Sequence, residues 1–366
     1  MKNGTKVLGL GLILFFLGTL LGHGVLAQEK TTVIDLEKRI VEVPKNPERI
    51  ICLGPGSLRL ICYLGMMKKV VGVERFEKSP PVGRAYLWAN PELAKLPVIA
   101  PGGPAGINKE PDLESVLKIN PQVIFIANME PGKAEALQKK VNIPVVILSY
   151  GGFATFDEVV FESLRLAGKI LGADKRAEEV VAYIENARRD LLKKTEPFEE
   201  KGKPRVYIGG IGFRGTQGIE STDASYFPLD WVRAKNLAKE IAPKGHLFVE
   251  KEKILAWDPD LIFLDAGGFG NIQQDFQKKL EFYRNLKAFR TQKVHLLFPY
   301  NWYVTNIDTA IADGYAAGKI LYPELFQDLD PPKKADEIYS FLLGKPVYGQ
   351  MEKEFGKLGG TLVLRP

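Results

Sequence analysis

The chain has 366 residues, enough for two α/β domains of ordinary size that each bury a hydrophobic core. It carries 50 lysine and arginine residues against 44 aspartate and glutamate residues, a formal net charge of +6. Because this excess is spread along a chain of both signs, with no basic block interleaved with aromatic residues, nucleic acid is not expected as a partner.

The first 27 residues have the pattern of a secretory signal peptide. Lys2 and Lys6 precede an apolar stretch at 7–21, and cleavage is expected after Ala27. An uncleaved membrane anchor is the alternative, although a membrane span needs about 20 apolar residues. No cysteine stands at the cleavage point to carry a lipid. The mature protein is therefore expected to be periplasmic or secreted, without a lipid anchor.

Residues 28–155 are predicted to form an N-terminal lobe of alternating strands and helices, which favours a mostly parallel sheet. An edge hairpin is expected over 30–43. The further predicted strands are 49–53, 70–73, 98–100, 123–127 and 145–148, and the predicted helices are 57–64, 113–119 and 133–141. The two cysteines, Cys52 and Cys62, match no zinc motif. A disulfide and two buried free thiols both fit them, and we slightly favour the thiols.

Residues 156–196 are predicted to link the lobes through two helices, because apolar residues recur there at helical spacing with an interruption at Gly172–Asp174. The second helix, of about 20 residues, would span about 30 Å and suits a rigid strut. The C-terminal lobe is predicted over 197–366. Its predicted strands are 205–210, 261–265 and 294–298, and its predicted helices are 231–241, 276–286, 308–321 and 334–343.

A widely spaced repeat relates the two lobes. The pattern Glu-x-x-Leu-x-x-x-Pro-x-x-Ile-Phe runs from Glu114 to Phe125 and again from Glu252 to Phe263. Each copy predicts an acidic-led helix, a turn and a strand that is apolar on both faces. The sequence therefore predicts an α/β fold of two similar lobes with mostly parallel sheets, joined by one long helix. Two such lobes would form a crevice that closes on a small ligand.

Candidate ligand residues follow the predicted strands, because ligands of open α/β sheets bind beyond the carboxyl ends of the strands. Glycines there let the backbone approach a ligand, aromatic rings could line a cleft for a bulky ligand, and arginines suit an anion. The alternatives are a half-buried aromatic plug and plain surface charges. The candidates are Gly56, Ser57, Arg75, Arg84, Tyr86, Trp88, Gly103, Arg214, Gln217, Tyr300, Trp302 and Tyr303.

Catalytic and metal-binding patterns are poorly represented. Gly210 to Gly215 satisfies G-x-G-x-x-G, but a polar, turn-like segment follows where dinucleotide binding needs an apolar helix. His246 and His295 have no second histidine or cysteine nearby in sequence, and His295 fits a satisfied core residue. No G-x-S-x-G motif occurs. We therefore expect no catalytic residue, no metal held by protein ligands and no cofactor.

Glu114 and Glu252 occupy matching positions in the two copies of the repeat. An acid in the first turn of a helix interacts favourably with the helix dipole, which alone could explain each glutamate. Placed symmetrically on two lobes, the pair could also meet two basic sockets on a symmetric partner. Both interpretations can hold together.

With these features, the chain resembles the periplasmic binding proteins of ABC importers for iron-siderophores, haem and cobalamin, the class whose lobes are joined by one long helix. The resemblance covers most of the mature chain from Arg49 to the C-terminal helices. Its most specific parts are Leu113-Glu114 with Pro121 to Ile124, and Glu252 with Pro259 to Ile262. It departs at Cys52, where the family usually has serine or threonine, and at Arg59, where it often has glutamate.

The resemblance implies a monomeric solute receptor that performs no chemistry. It implies that Glu114 and Glu252 dock onto arginines of a membrane permease. The expected ligand is a small-molecule metal chelate, most readily a ferric siderophore, with cobalamin or haem bound by the same mechanism as the alternative. The helical link predicts a small closure on binding. An exported α/β enzyme and a sensory or adhesion module remain the alternatives from other classes.

Overall fold

The computed structural model describes Met1 and residues 29–152, 156–198 and 202–363. The predicted signal peptide, apart from Met1, lies outside the described residues. Among these residues, none of the helices combines the length and apolar character needed to span a bilayer. The structure is of mixed α/β type with two mainly parallel sheets.

The chain begins with the predicted hairpin, formed by β1 (Lys30–Ile34) and β2 (Ile40–Pro44) in antiparallel pairing. The hairpin covers the edge of the first sheet. The Asp35 carboxylate accepts the main-chain N–H of Ile147 at 3.2 Å, and the Arg39 guanidinium donates to the carbonyl of Val145 at 3.0 Å. Side chains from the hairpin thus satisfy polar groups of an edge strand that would otherwise be unpaired.

The N-terminal sheet has five parallel strands in the order β5-β4-β3-β6-β7. The strands are β3 (Ile50–Leu53), β4 (Val70–Glu74), β5 (Val98–Ala100), β6 (Val123–Ala127) and β7 (Val145–Leu148). The helices are α1 (Ser57–Tyr63), α2 (Ala85–Ala89), α3 (Leu113–Ile119) and α4 (Pro131–Val141). Every residue of β3, β6 and β7 is buried, because helices cover both faces.

Two linker helices follow, as predicted: α5 (Val159–Leu171) and α6 (Asp174–Lys194). Gly172 ends α5 in the left-handed conformation, with φ of 70°. The 21 residues of α6 span about 30 Å. Arg176 of α6 donates to the carbonyl of Tyr63 at 3.0 Å and to that of Phe341, so the helix is attached to elements on both sides of the linker.

The C-terminal sheet has four parallel strands in the order β10-β8-β12-β13, with a separate antiparallel pair β9–β11. The strands are β8 (Arg205–Gly209), β9 (Ser221–Asp223), β10 (Lys235–Asn236), β11 (His246–Phe248), β12 (Leu261–Asp265) and β13 (Val294–Leu297). The helices are α7 (Phe227–Trp231), α8 (Lys251–Trp257), α9 (Phe269–Lys278), α10 (Leu280–Asn285), α11 (Lys287–Arg290), α12 (Ile307–Leu321), α13 (Pro331–Leu343) and α14 (Tyr348–Phe355).

Two predicted helices of this lobe are wrong. The segment 231–241 is not one helix: α7 ends at Trp231, and Arg233 takes a left-handed φ of 51°. The chain then enters β10, after which the Asn236 side chain accepts the N–H of Ala238 at 3.1 Å and starts a short 3₁₀ turn. The predicted helix 276–286 is two helices, α9 and α10, because Lys279 leaves the helical conformation with φ of −126° and ψ of 39°.

The largest hydrophobic cluster is shared by the two lobes and the linker. It includes Tyr63 of α1, Ile184 of α6 and Ile311 of α12, each with no exposed surface. Two smaller clusters fill the remaining faces of the two sheets. Because one continuous core joins the lobes, their relative orientation is set by apolar packing as well as by chain connection.

Candidate functional site

The carboxyl ends of the N-terminal strands converge on a small region beside the C-terminal lobe. Only glycine fits at position 54, directly after β3. The φ of Gly54 is left-handed, at 77°, and an added Cβ would lie 2.2 Å from the carbonyl oxygen of Ala127. At Gly102, after β5, an added Cβ would stand 2.6 Å from the Cβ of Glu74. The loop after β3 is thus packed against the end of β6, and the loop after β5 against the end of β4.

A hydrogen bond between Glu74 and Tyr303 joins the two lobes at this point. The Tyr303 hydroxyl donates to Oε2 of Glu74 at 2.6 Å and accepts the N–H of Gly103 at 3.1 Å. The other carboxylate oxygen of Glu74 accepts the N–H of Gly54 at 2.9 Å. The ring of Phe76 packs 4.7 Å from that of Tyr303. Burial raises the pKa of Glu74 to about 7, and the hydrogen bonds from Tyr303 and Gly54 offset part of that effect.

Arg59 of α1 forms a second connection between the lobes. Its fully buried guanidinium lies near the rings of Tyr86 and Tyr150, 5.0 and 5.9 Å from their centres. It donates to consecutive carbonyls of the loop after β13, those of Trp302 (3.2 Å), Tyr303 (3.0 Å), Val304 (3.4 Å) and Thr305 (2.8 Å). Tyr303 and Val304 have left-handed φ angles of 57° and 58°, which are uncommon outside glycine. The guanidinium therefore holds this loop in a strained conformation.

Arg84 and Tyr86 brace the loop after β4. The Arg84 guanidinium has no exposed surface, pairs with Glu77 at 3.0 Å and donates to the carbonyls of Phe76 and Pro81, each at 3.0 Å. The Tyr86 hydroxyl donates to the same Glu77 oxygen at 2.7 Å. The donors of both side chains bond to groups of their own lobe. In this structure these two residues therefore support the loop after β4.

The other predicted ligand residues occupy three kinds of environment. Gly56, Ser57 and Tyr300 are buried, and Tyr300 packs against the rings of Tyr226 and Phe227 at 5.1 and 5.0 Å. Trp88, Gln217 and Trp302 are half-buried, and Arg75 and Arg214 are exposed. Gly103 is buried and donates to Tyr303. The role of each predicted residue in ligand binding stays a prediction.

The two candidate docking glutamates are both exposed and both lie in the first turn of a helix, Glu114 in α3 and Glu252 in α8. Each helix leads into a buried parallel strand, β6 or β12. A helix that precedes such a strand runs antiparallel to it, so its first turn lies at the edge where the strands have their carboxyl ends. Both glutamates therefore lie on the same edges of the sheets as the loops described above.

Acidic side chains around Tyr300 close turns of the backbone. Asp265 accepts the N–H of Gly267 at 2.8 Å, and Asp313 accepts that of Phe298 at 2.9 Å. Burial raises the pKa of Asp265 to about 7 and that of Asp313 well above its usual value. Within the described residues, no group of three or more histidine, cysteine, aspartate or glutamate side chains could hold a metal ion.

Cys52 and Cys62 are free and buried, which confirms the favoured prediction for these cysteines. His295 is half-buried, and its Nδ1 lies 3.1 Å from the carbonyl oxygen of Gly359. His246 stacks on Phe213 with ring centres 4.2 Å apart, and its Nε2 lies 2.8 Å from the Ser221 hydroxyl. Both imidazoles are therefore engaged by the protein itself.

The space beside Glu74 is small. A cavity of about 10 Å³ lies between the loops after β3 and β5 and the ends of β4 and β6, bounded by Gly54, Glu74, Gly102 and Lys109. This is about the room that one water needs. Larger surface depressions, of about 420 and 270 Å³, lie near Lys203 and Pro204 at the opposite edge of the C-terminal sheet, where β8 begins. The residues at the strand ends are the better candidate site, because they join both lobes.

Comparison with known proteins decides the family. A family model described as "Periplasmic binding protein" matches residues 50–300, more than half of the chain. The chain belongs to this family. The molybdate-binding protein MolA of Haemophilus influenzae is 24% identical over 84% of this chain and 89% of its own length. The petrobactin-binding protein YclQ of Bacillus subtilis is 22% identical over 76% of this chain and 83% of its own.

Solved members of the family share the fold. A periplasmic solute binding protein from Veillonella parvula superposes with a TM-score of 0.68 at 22% identity, covering 89% of this chain and 97% of its own. MolA bound to molybdate gives a TM-score of 0.67 at 22% identity, covering 86% and 98%. The predicted two-lobed α/β fold and the predicted family are confirmed. At family level the relatives are substrate-binding proteins of transport systems and not enzymes.

Sequence reasoning missed Arg59 and Glu74 as site residues. Glu74 directly follows the predicted strand 70–73 and is the last residue of β4 in the structure, and an acid at that position is a signal that the strand end faces a polar partner. Arg59 is a charged residue on the apolar face of a short helix, which predicts a buried counterpart. In both cases the partner lies in the other lobe and only the fold reveals it.

Proposed function

We propose that this protein is the solute receptor of an ABC importer, and that it holds a ferric siderophore between its lobes and delivers it to a membrane permease. The observation that carries the proposal is the meeting of strand-end loops from both lobes at Glu74 and Tyr303. Exposed Arg75 and Arg214 on loops of the two lobes offer positive charge to an anionic chelate. The receptor is exported by residues 1–27, works in the periplasm as a monomer and performs no chemistry.

A chelate suits the side chains better than a bare metal ion. Within the part of the chain that the structure describes, metal-ligating side chains do not gather into a coordinating group. A chelator supplies its own ligand atoms, so the protein needs only charge, rings and hydrogen-bond donors. The petrobactin-binding relative supports this class of ligand. Cobalamin and haem could be carried in the same way, with a wider opening of the lobes.

A molybdate-like oxyanion is the second candidate. The loops around Glu74 leave a cavity of only about 10 Å³, which the N-terminal lobe lines, and the Glu74–Tyr303 and Arg59 contacts hold the C-terminal lobe beside these loops. A compact tetrahedral anion can enter with a smaller separation of these loops than a siderophore requires. The similarity to MolA supports the same candidate.

Binding can be tested by calorimetric titration of the purified protein with ferric petrobactin, molybdate, cobalamin and haem. Saturable binding of ferric petrobactin supports the first candidate, and binding of molybdate alone supports the second. Arg75→Gln and Arg214→Gln should each weaken binding of an anion by about tenfold, the effect of losing one charge-assisted hydrogen bond. Lys175→Gln, a change of an exposed charge on α6, is the matched control and should leave the affinity unchanged. Failure of all four solutes to bind would refute the proposed ligand classes.

Docking to the permease is tested separately. Reversing both charges with Glu114→Arg and Glu252→Arg should abolish uptake of the bound solute by cells, because two exposed acids would no longer meet basic sockets. Affinity of the purified receptor should stay unchanged, since both residues are exposed on first helical turns. Reversal of Glu135 and Glu281, one other exposed acid from a helix of each lobe, serves as the control. Normal uptake by the first double variant would contradict the docking role.

A further inference from the structure

The carboxylate of Glu74 accepts hydrogen bonds from donors that converge on one point of the inter-lobe site. The Gly54 N–H reaches one oxygen at 2.9 Å and the Tyr303 hydroxyl reaches the other at 2.6 Å. The Gly103 N–H reaches the Tyr303 oxygen at 3.1 Å. Gly54 and Gly103 have left-handed φ angles of 77° and 69°, so both N–H groups are aimed by turns that favour glycine. The two donors to the carboxylate thus come one from each lobe, and Gly103 of a third loop holds the Tyr303 hydroxyl.

Convergent donors of this kind form a receptor for a negatively charged oxygen. In this structure the anion is supplied by the protein itself, from the last residue of β4. A neutral glutamine could accept the Gly54 N–H equally well. Closing the turn therefore does not require a negative charge at this position.

Charged groups from each neighbouring element face this carboxyl. Glu77 and Arg84, from the loop after β4, pair with each other at 3.0 Å. Lys109 and Glu110, from the loop after β5, border the same small cavity, and Glu110 pairs with Lys140. Tyr303 approaches from the C-terminal lobe. Arg84 thus has an acidic partner of its own, whereas Lys109 borders the cavity beside Glu74. Burial leaves the Glu74 charge costly, with its pKa raised to about 7.

We propose that Glu74 is an internal competitor for the ligand: its carboxylate fills an oxyanion subsite made by Gly54 and Tyr303, and an oxyanion of the transported solute displaces it. This inference rests on the proposed function and specifies which group of the solute is recognised. The negatively charged oxygen belongs either to molybdate or to an iron-bound siderophore. On displacement, Glu74 takes one proton from solution, which removes the repulsion between two anions and turns the carboxyl group into a hydrogen-bond donor.

The sign of the pH dependence follows from this exchange. A bound anion raises the pKa of Glu74 further, and by linkage a protonated Glu74 raises the affinity for the anion. Near pH 8.5 the free receptor holds an ionised Glu74 and the complex a protonated one, so one proton is taken up per anion. Near pH 6 both forms are protonated and uptake vanishes. Affinity should therefore be constant in mild acid and fall by up to about tenfold per pH unit above pH 7.

The test is calorimetric titration of the full-length mature receptor with molybdate and with ferric petrobactin near pH 6 and near pH 8.5. Each titration is repeated in two buffers of different ionisation enthalpy, which measures proton uptake in the unmodified protein. Glu74→Gln should bind the anion near pH 8.5 at least about tenfold more tightly than the wild type, with no proton uptake. Glu110→Gln removes a neighbouring charge from the same cavity and should keep the wild-type slope.

Tyr303→Phe tests the hydroxyl donor of the subsite separately from the Glu74 competitor. The variant keeps the ring beside Phe76 and removes the hydroxyl. It should weaken anion binding by about tenfold near pH 6, where Glu74 is protonated in both forms. Binding without proton uptake, or a Glu74→Gln affinity near pH 8.5 equal to or below that of the wild type, overturns the inference and leaves the receptor function standing. If neither molybdate nor ferric petrobactin binds at either pH, the proposed ligand classes fail and the inference fails with them.

Discussion

Replacing Arg59 by methionine tests how strongly the two lobes are joined. The guanidinium donates to four consecutive carbonyls of the loop after β13 at 2.8–3.4 Å and is fully buried. Hydrogen bonds to a charged group contribute about 1.5–3 kcal/mol each, which would sum to about 6–12 kcal/mol for four. Removing a guanidinium from water costs several kcal/mol, so the net contribution is smaller.

We expect Arg59→Met to lower the free energy of unfolding by about 3–5 kcal/mol, the usual effect of removing one side of a buried charged network. Methionine fills much of the space but leaves the carbonyls without donors. Arg59→Lys should lose about half as much, since a point-like ammonium reaches fewer of the carbonyls than the planar fork. Arg75→Met changes an exposed arginine and should alter stability by no more than about 0.5 kcal/mol.

The assay is equilibrium unfolding in urea, followed by tryptophan fluorescence and by circular dichroism. Coincidence of the two transitions is needed before a single free energy is assigned. A second measurement, the proton-dependent affinity for molybdate or ferric petrobactin, reports whether Tyr303 still reaches Glu74. A loss below about 1 kcal/mol for Arg59→Met would refute the view that this guanidinium holds the lobes together.

Three further predictions concern stability and access. Burial raises the pKa of Asp265 from 3.8 to about 7, so ionisation of this carboxyl lowers the stability of the fold as the pH rises through this range. The Asp265→Asn variant should therefore melt at a higher temperature than the wild type near pH 8. Near pH 4 the two proteins should melt at similar temperatures. An added Cβ at Gly54 would lie 2.2 Å from a main-chain oxygen, so Gly54→Ala should lower the free energy of unfolding by about 2 kcal/mol or more. Gly132→Ala places its Cβ in open space and should be nearly neutral. Equal unfolding midpoints for the two variants would contradict this prediction. Cys52 and Cys62 are buried and free, with the pKa of Cys62 raised to about 12, so a thiol reagent should react with neither until the protein unfolds, and rapid labelling of the native protein would oppose the prediction.

Local signals in the sequence were sufficient for most of the secondary structure. Strands 123–127, 145–148 and 261–265 were predicted with the bounds that the structure has, because each is an apolar run covered on both faces, which in the third strand ends at Asp265. Helix 113–119 also has its predicted bounds: Asp112 accepts the N–H of Ser115, and Asn120 ends the helix in the left-handed conformation. These signals lie within a few residues of the elements that they delimit.

The failures came from contacts between distant segments. Residues 231–241 have helical spacing of apolar side chains, but Lys235 and Asn236 pair with Arg205 and Val206 of β8 and complete the edge of the sheet. The sequence also does not show that Arg75 is exposed whereas Arg84 is buried against Glu77; the ligand role of each stays a prediction. Helical periodicity and residue type do not contain this information, because the deciding partners come from other parts of the chain.

The amino-acid sequence by itself determined that two similar α/β lobes are linked by a long helix, because apolar periodicity and helix caps act over short distances. It also determined which loops follow the strands. Only the tertiary structure decided what those loops do, since Glu74 and Tyr303 meet across 229 positions of chain and Arg59 reaches carbonyls 243–246 positions away. A hydrogen bond depends on a separation of about 3 Å in space, and folding alone brings such distant groups together.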